Sequence, residues 1–375
     1  MNFSNWQVKA SKIVRDIVIE NQIIASVSER PVYRRHFIKQ DGRDLRLYGY
    51  SPHDLSPLRE NFFDVPRGGE FRYHPLRQEW NVYAAHRQNR TYKPSLANDP
   101  LAPSKPNLPP TEIPFEDFEV AVFDNKFASL HNNAPRTQTS VAYKTRPALG
   151  HCDVIVYGPE AQGNLHSIGQ SNRRLLLSAW SDRYQTLFDE GHKFVLPFEN
   201  RGDEVGVTLH HPHGQIYAFP NIPNIQKSAM LAFQGGYDLI TEVRKFGPDY
   251  KIASAGGMSA FSPPFARFPY EVWITPDKFS AGPWAFDETQ QDGFAHLLGD
   301  VTRKYDALFE RPTAYMLSLH AAPAGHEDVF HFTAQFYPLL RSKSKVKYLA
   351  SVEQSTGVFT VDIMPETAAK ILRDL

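Results

Sequence analysis

The segment Leu209–Pro220, read as LHHPHGQIYAFP, concentrates the side chains of this sequence that could do chemistry. His210, His211 and His213 fall within four residues and are followed by Gly214 and Gln215. The run Ile216–Phe219 has the character of a buried strand. Pro212 fixes φ and removes one donor just before His213, and Gly214 lets another group approach the backbone. The pattern describes a rigid strand start presenting imidazoles to a polar cavity. With an ordinary pKa of about 6.5, an imidazole is largely neutral at pH 7, so His213 could act as a nucleophile without a separate base. Attack on phosphorus would give a phosphoramidate, which is reactive enough to pass its group to a second phosphate. Two residues further along a strand, Gln215 points to the same side and could donate to phosphoryl oxygens where charge develops. A histidine here could instead protonate a leaving group. Taken alone, the cluster is also compatible with a metal site or with buried core histidines.

Other candidates flank this segment. Asn200 precedes it in Phe-Glu-Asn-Arg-Gly, where Arg201-Gly202 and Gly206 with Thr208 could supply donors to phosphate. Standing alone, that stretch reads as an ordinary turn. Arg87 and Arg90 are three apart and could clamp a phosphate, although such pairs are usually solvated. The basic run Arg341–Lys347 carries the same bland reading. His320 ends a strand-like stretch and could be a ligand or a core histidine.

The elements that must position these groups are mostly strands. Phe71–Tyr73 and Trp80–Tyr83 read as a hairpin. Residues 92–115 hold seven prolines and form an extended loop too long to be idle unless it wraps a surface or a site. Strands are expected at Val120–Phe123, Asp153–Tyr157, Phe194–Phe198, Tyr270–Thr275, Tyr315–Leu319 and Val329–Tyr337. Helices are expected over Ser171–Glu190 with Gly191 as its cap, Gln226–Phe246 with a break at Gly235-Gly236, Asp287–Phe309, and Pro365–Leu375 with proline at the first position. Apolar residues at helical spacing within residues 1–30 predict an N-terminal helix or clasp, and residues 36–58 are polar and mixed. Hairpins dominate, so the fold class is α+β with antiparallel sheet. There is also an internal echo. His211, His213, Gln215 and Tyr217 align without a gap on His331, Thr333, Gln335 and Tyr337. Period-2 spacing puts each set on one strand face. Read as a duplication, this gives two copies of one fold, with the central histidine kept in one copy.

Composition bounds the rest. A chain of 375 residues predicts two domains or one large duplicated one. Lys+Arg and Asp+Glu are equal at 41 each, which gives no electrostatic case for nucleic acid or an anionic membrane. The single Cys152 excludes an intramolecular disulfide and fits a reducing compartment. No apolar run reaches the roughly 18 residues of a membrane span, and the N-terminus lacks a secretory signal, so a cytoplasmic protein is expected.

His211-Pro212-His213-Gly214-Gln215, with Phe198-Glu199-Asn200-Arg201-Gly202 upstream, resembles the galactose-1-phosphate uridylyltransferase family of the histidine-triad superfamily. The resemblance runs from about Glu70 to the C-terminus. It takes in Tyr73-His74-Pro75-Leu76 with Trp80, His86-Arg87-Gln88-Asn89-Arg90, Phe123-Asp124-Asn125 and Phe336–Ser342, and continues through Lys347 and Glu353. It implies two tandem histidine-triad-like halves with antiparallel sheets flanked by helices. The expected divisions are an extension over 1–60, a domain over 61–222 carrying the nucleophile, and a second over 223–375.

The implied reaction is a ping-pong transfer. His213 takes UMP from UDP-glucose, releases glucose 1-phosphate, and passes the uridylyl group to galactose 1-phosphate. By position, the resemblance places Gln215, Asn200 and Thr208 on the phosphates and Asn125 near the uridine. Arg87 and Arg90 match arginines reaching phosphate from a neighbouring subunit, and Lys347 and Glu353 match hexose contacts. His211 is a supporting residue. A homodimer with shared sites is implied.

Two departures stand out. Some members hold zinc through a Cys-x-x-Cys pair after an Asp-Pro, but here Asp99-Pro100-Leu101 leads into Ala102-Pro103-Ser104-Lys105. A third zinc ligand falls near Ala161, which leaves only His211. A second metal site of some members needs histidines where this chain has Thr333 and Gln335, and only His320 remains. Neither site is expected to be filled as in those members, so no metal or other cofactor is assigned. Ser351-Val352 beside Glu353 departs from the family's hexose-contact sequence, which leaves the sugar open. Competing readings are an ADP-sugar or dinucleoside-polyphosphate phosphorylase, a transferase for another hexose 1-phosphate, or a non-catalytic nucleotide-sugar binder. Gln215 in place of a third histidine argues against hydrolysis.

Overall fold

The structure is a computed structural model describing residues 21–66, 68–89, 93–137 and 142–375. In chain order its strands begin with β1 (Gln22–Val27), β2 (Arg30–Ile38), β3 (Asp44–Gly49), β4 (Glu70–His74), β5 (Glu79–Tyr83), β6 (Val120–Asp124), β7 (Thr145–Pro147) and β8 (His151–Val156). Helix α1 (Gly169–Asp189) leads to β9 (Phe194–Arg201) and β10 (His213–Phe219). Then come α2 (Asn224–Gln234), α3 (Leu239–Phe246), β11 (Lys251–Ala255), β12 (Met258–Phe261), β13 (Val272–Pro276) and α4 (Glu288–Phe309). The chain ends through β14 (Tyr315–His320), β15 (Thr333–Pro338), β16 (Leu340–Ser342), β17 (Lys345–Val346), α5 (Ser351–Thr356) and α6 (Pro365–Asp374).

Twelve strands make one antiparallel sheet in the order β1-β2-β3-β6-β8-β10-β9-β14-β15-β13-β12-β11. The expected duplication is visible in this order. Five strands of each half repeat one order, β3-β6-β8-β10-β9 and β11-β12-β13-β15-β14, with β1 and β2 added outside β3: the first three of each five lie side by side, the fifth follows the third, and the fourth closes the series. The two fourth strands, β9 and β14, then pair antiparallel at the seam, with Glu199 opposite Leu317 and Asn200 opposite Met316. The His213 and Thr333 segments are the two fifth strands.

Helices α1 and α4 cover one face. Leu175, Leu176, Ala179, Trp180, Tyr184 and Leu187 of α1 share a core with Ile216 and Ala218 of β10 and with Leu297, Leu298 and Val301 of α4. This burial explains why the 3.6-residue pattern of α1 was legible. Gly191 (φ +93°) closes α1, and an Asp287–Gln290 capping box opens α4. Strand alternation leaves His213, Gln215 and Tyr217 on the opposite face.

Some expectations need correction. The N-terminal helix falls largely on residues 1–20, outside the described residues. From Gln22 onward the chain is strand, so Ile23 and Ile24 belong to β1. Residues 36–58, given no element, contribute the end of β2 and all of β3, paired with Arg46 opposite Val122 of β6. Arginines at Arg34, Arg35, Arg43 and Arg46 mask an apolar strand pattern there, because Arg43 and Arg46 are themselves buried in ion pairs. The hairpin β11–β12, turned by Gly256 (φ +54°) and Gly257 (φ +73°), was also not anticipated. Among the described residues no helix is long and apolar enough to cross a membrane.

The seam buries an acid. Glu199 faces the helical layer, where it accepts from the Tyr157 hydroxyl (3.1 Å) and the Tyr315 hydroxyl (3.0 Å). Burial pushes its carboxyl up to about 7, opposed by Arg201 and the two hydroxyls. A carboxyl raised on folding favours the native state least once it must ionise, so stability falls as pH rises from the unfolded value of 4.5 through about 7. Urea denaturation at pH 5 and pH 8 should show a loss of about 2–3 kcal/mol from this group. The Glu199→Gln variant should lose that part of the pH dependence. An unchanged dependence in the variant would refute the assignment.

Candidate active site

His213 opens β10, opposite Val156 of β8. Its Nδ1 donates to the backbone carbonyl of His211 at 2.7 Å. That bond fixes the tautomer and leaves the Nε2 lone pair free to face the cavity. Burial lowers the ring's pKa, with the His211 carbonyl working in the other direction, so the ring is neutral near pH 7. Gly214 is required here, because a Cβ would lie 2.6 Å from the Tyr157 hydroxyl and 2.8 Å from the Phe198 carbonyl. His210 is exposed and takes no part.

The cavity beside His213 has two characters. Gln215, Thr208 and Arg87 line it together with His213 and bring donors. Leu101, Phe123, Phe127, Val154 and Leu209 make an apolar wall, and Asn125, Lys126 and Glu112 line it as well. Sheet register sets the dimensions. Gln215 lies opposite Val154, and Val154 opposite Phe123. Two strand spacings separate Gln215 from Phe123, about 10 Å. That span fits a nucleoside laid across β8 with its phosphates at β10.

The loops that close the cavity are held by their own hydrogen bonds. Asn125 Oδ1 accepts from the Phe127 amide (2.9 Å), forming a tight turn after β6. Arg87 sits on the short 3-10 turn Ala85–Asn89 and donates to the Phe127 carbonyl (2.6 Å), while His86 donates to the Ala128 carbonyl (2.9 Å). Arg87 therefore lines the cavity of its own chain. The turn that carries it is anchored to the loop after β6. Arg90 lies outside the described residues.

The remaining expected residues are more scattered. Asn200 lies on β9 two residues beyond Phe198, which faces Gln215, and is not part of the cavity wall. Lys347 and Glu353 are buried against each other in an ion pair away from this cavity. Lys347, followed by the amides of Ala350 and Thr360, pulls the Glu353 carboxyl down to about 2. In the basic run, Arg341 pairs with Asp362 and Lys343 with Glu310. Those pairs are exposed, as the solvated reading expects.

Three contributors were missed from sequence. Glu112 accepts from Lys39, Arg43 and Lys126 (2.9, 2.8 and 2.6 Å). Burial opposes its ionisation, but the three cations hold its carboxyl well below the usual range. Lys126 was adjacent to the quoted Phe-Asp-Asn motif, whereas nothing local marks Glu112. The third is Asp99, which was noticed only for the cysteines that fail to follow it. Its carboxylate accepts from His211 Nδ1 at 2.6 Å. Burial opposes the shift, yet His211 and the Leu101 amide hold this carboxyl below its ordinary value.

The residues at the relatives' metal positions do not fit those metals. His211 Nε2 donates to the Gly158 carbonyl (2.8 Å), so both of its nitrogens are engaged, and Ala161 offers no ligand. In the second half, Gln335 donates to the Thr333 hydroxyl (2.8 Å), Tyr337 donates to Gln335, and His320 contacts the Tyr337 hydroxyl (3.3 Å). Burial and Arg267 lower the His320 pKa to about 4. Asp124, His151 and Asp153 do converge within 4.8 Å. Arg183 already occupies that cluster, 2.9 Å from Asp153 and 3.5 Å from His151, so the group is an internal ion network.

Comparison with known proteins agrees with this geometry. Residues 64–223 match the family model for the galactose-1-phosphate uridyl transferase N-terminal domain, and residues 256–375 match that for its C-terminal domain. A galactose-1-phosphate uridylyltransferase of Thermotoga maritima is 33% identical over 317 residues, covering 81% of this chain and 98% of the relative. The Rattus norvegicus enzyme of the same name is 27% identical over 340 residues, covering 81% and 87%. A solved uridylyltransferase structure superposes with a TM-score of 0.73 at 23% identity, covering 81% of this chain and 97% of the other. An Arabidopsis thaliana ADP-glucose phosphorylase superposes at 0.62 and 20% identity, covering 82% and 98%. With both halves matched and the histidine strand in place, the chain belongs to the galactose-1-phosphate uridylyltransferase family.

Proposed function

We propose that this protein transfers UMP from UDP-glucose to galactose 1-phosphate through a covalent uridylyl-histidine. The observation that carries this reading is the Nδ1 hydrogen bond of His213 to the His211 carbonyl, which aims Nε2 at a donor-lined cavity. In the first half-reaction the Nε2 lone pair forms a bond to the α-phosphorus. The bond from phosphorus to the glucose 1-phosphate oxygen breaks, and that oxygen leaves with the electron pair. The Nδ1 proton stays on the ring, donated to His211. In the second half-reaction a phosphate oxygen of galactose 1-phosphate attacks the same phosphorus and restores His213, giving UDP-galactose. Gln215, Thr208 and Arg87 offset charge on the phosphoryl oxygens, and the uridine lies along Val154 and Phe123 toward Asn125.

Lys347 and Glu353 stand apart from the His213 cavity within one chain. Their role as hexose contacts is therefore assigned to the site of a neighbouring subunit in a homodimer, and Asn200 to a secondary phosphate contact. The proposal places the nucleophile in a domain of residues 61–222, followed by a second domain over 223–375, in a cytoplasmic enzyme that uses neither zinc nor iron.

Incubation with UDP-glucose labelled in the uridylyl group should give an acid-labile, base-stable adduct on the wild type and none on His213→Ala. A wild type that forms no adduct, or a variant that forms one, would overturn the reading. A panel of UDP-glucose and ADP-glucose donors against several hexose 1-phosphates and inorganic phosphate identifies the substrates, with galactose 1-phosphate expected as acceptor. Gln215→Ala should lower kcat by about 10²–10³-fold, as removal of a transition-state donor does. Prolonged chelation should leave adduct formation intact; stoichiometric zinc or iron in purified protein would contradict metal independence.

A further inference from the structure

We propose that Asp99 is a positioning residue for the nucleophile, acting through His211. This builds on the assignment of His213 as the attacking group. Three hydrogen bonds run in series. Asp99 Oδ2 accepts from His211 Nδ1 at 2.6 Å, His211 Nε2 donates to the Gly158 carbonyl at 2.8 Å, and the His211 carbonyl accepts from His213 Nδ1 at 2.7 Å. The His211 side chain is fully buried and that of Asp99 is 8% exposed.

The His211 ring is held at both ends, by the Asp99 carboxylate at Nδ1 and by the Gly158 carbonyl at Nε2. Removing the carboxylate would take away one of its two anchors. The backbone of His211-Pro212-His213 would be held mainly by the Tyr157 amide on the Pro212 carbonyl (3.1 Å). The carbonyl that orients His213 would no longer have a fixed place.

The same carboxylate also sets the opposite wall. Asp99 Oδ1 accepts from the Leu101 amide (2.9 Å), and Pro100 and Leu101 line the cavity. One side chain therefore ties the proline-rich loop to the histidine strand and fixes the distance between wall and nucleophile. When His213 carries the uridylyl group its ring becomes cationic, and the Nδ1 bond to His211 becomes charge-assisted. A carbonyl held from behind by Asp99 is in place for that moment without rearrangement.

The test is single-turnover formation of the labelled uridylyl adduct by wild type, Asp99→Ala and Asp99→Asn, with UDP-glucose affinity and thermal midpoint measured on each. A misplaced nucleophile costs about 10²-fold in rate. Asp99→Ala should therefore form adduct about 10²-fold more slowly with UDP-glucose affinity within threefold of wild type. Asp99→Asn keeps an acceptor oxygen and should recover part of the rate. If Asp99→Ala fails to fold, Asp99→Asn alone decides, with a loss of tenfold or more expected. Rates within threefold of wild type would overturn the proposal. So would a loss in which affinity or thermal midpoint falls in parallel, since that describes a structural residue only. Absence of adduct in the wild type is a separate outcome: it removes His213 as nucleophile and the proposal with it.

Discussion

One hydrogen bond sets the terms of this structure: the bond from His213 Nδ1 to the carbonyl two residues upstream. It requires that residue 211 keep its carbonyl turned toward the ring, and Pro212 narrows the backbone freedom there by fixing φ. It also requires Gly214, since the strand presses against the Tyr157 hydroxyl and the Phe198 carbonyl. The sheet behind supplies rigidity. Ile216 and Ala218 are locked under α1, so the alternate positions His213 and Gln215 have little freedom to move away from the cavity.

The twofold arrangement of the halves shows what that bond is worth. The fifth strand of the second half keeps the pattern at His331, Gln335 and Tyr337 but has Thr333 where the nucleophile would be. There Thr333, Gln335, Tyr337 and His320 hydrogen-bond one another. No imidazole of that network stands at the strand position that His213 holds in the first half; Thr333 stands there. The two strands share a scaffold and each lines a cavity, but only the first carries the imidazole whose second nitrogen faces it.

Much of this was legible in the sequence, for identifiable reasons. Strand periodicity and the gapless echo located β10 and β15, because side-chain alternation is a local property. The break at Gly235-Gly236 and the cap at Gly191 follow from backbone sterics alone. Glu112 was invisible because its meaning depends on Lys39, Arg43 and Lys126, and Lys39 lies 73 residues away. The β2–β3 pair was hidden because its buried arginines look like a polar surface until their carboxylate partners are placed. Asp99 was seen only as a residue lacking cysteines downstream. Its contact with His211 spans 112 positions and is fixed by the path of the proline-rich loop.

The seam between β9 and β14 has a bearing on how the chain is made. Glu199 and Leu317 become neighbours only after more than a hundred further residues have been synthesised. Until then β9 is the open margin of a half-built sheet, with unpaired backbone groups that invite association with another nascent chain. Glu199 lies on that strand, on its helical face. While exposed to water it is an ordinary ionised carboxylate, the kind of charge that discourages edge-to-edge pairing. When β14 docks, the Tyr315 hydroxyl arrives at the same group and the carboxyl is taken out of solvent. The acid that weighs on the finished protein at high pH thus stands on the strand that an unfinished chain leaves as its edge, where a charge discourages association.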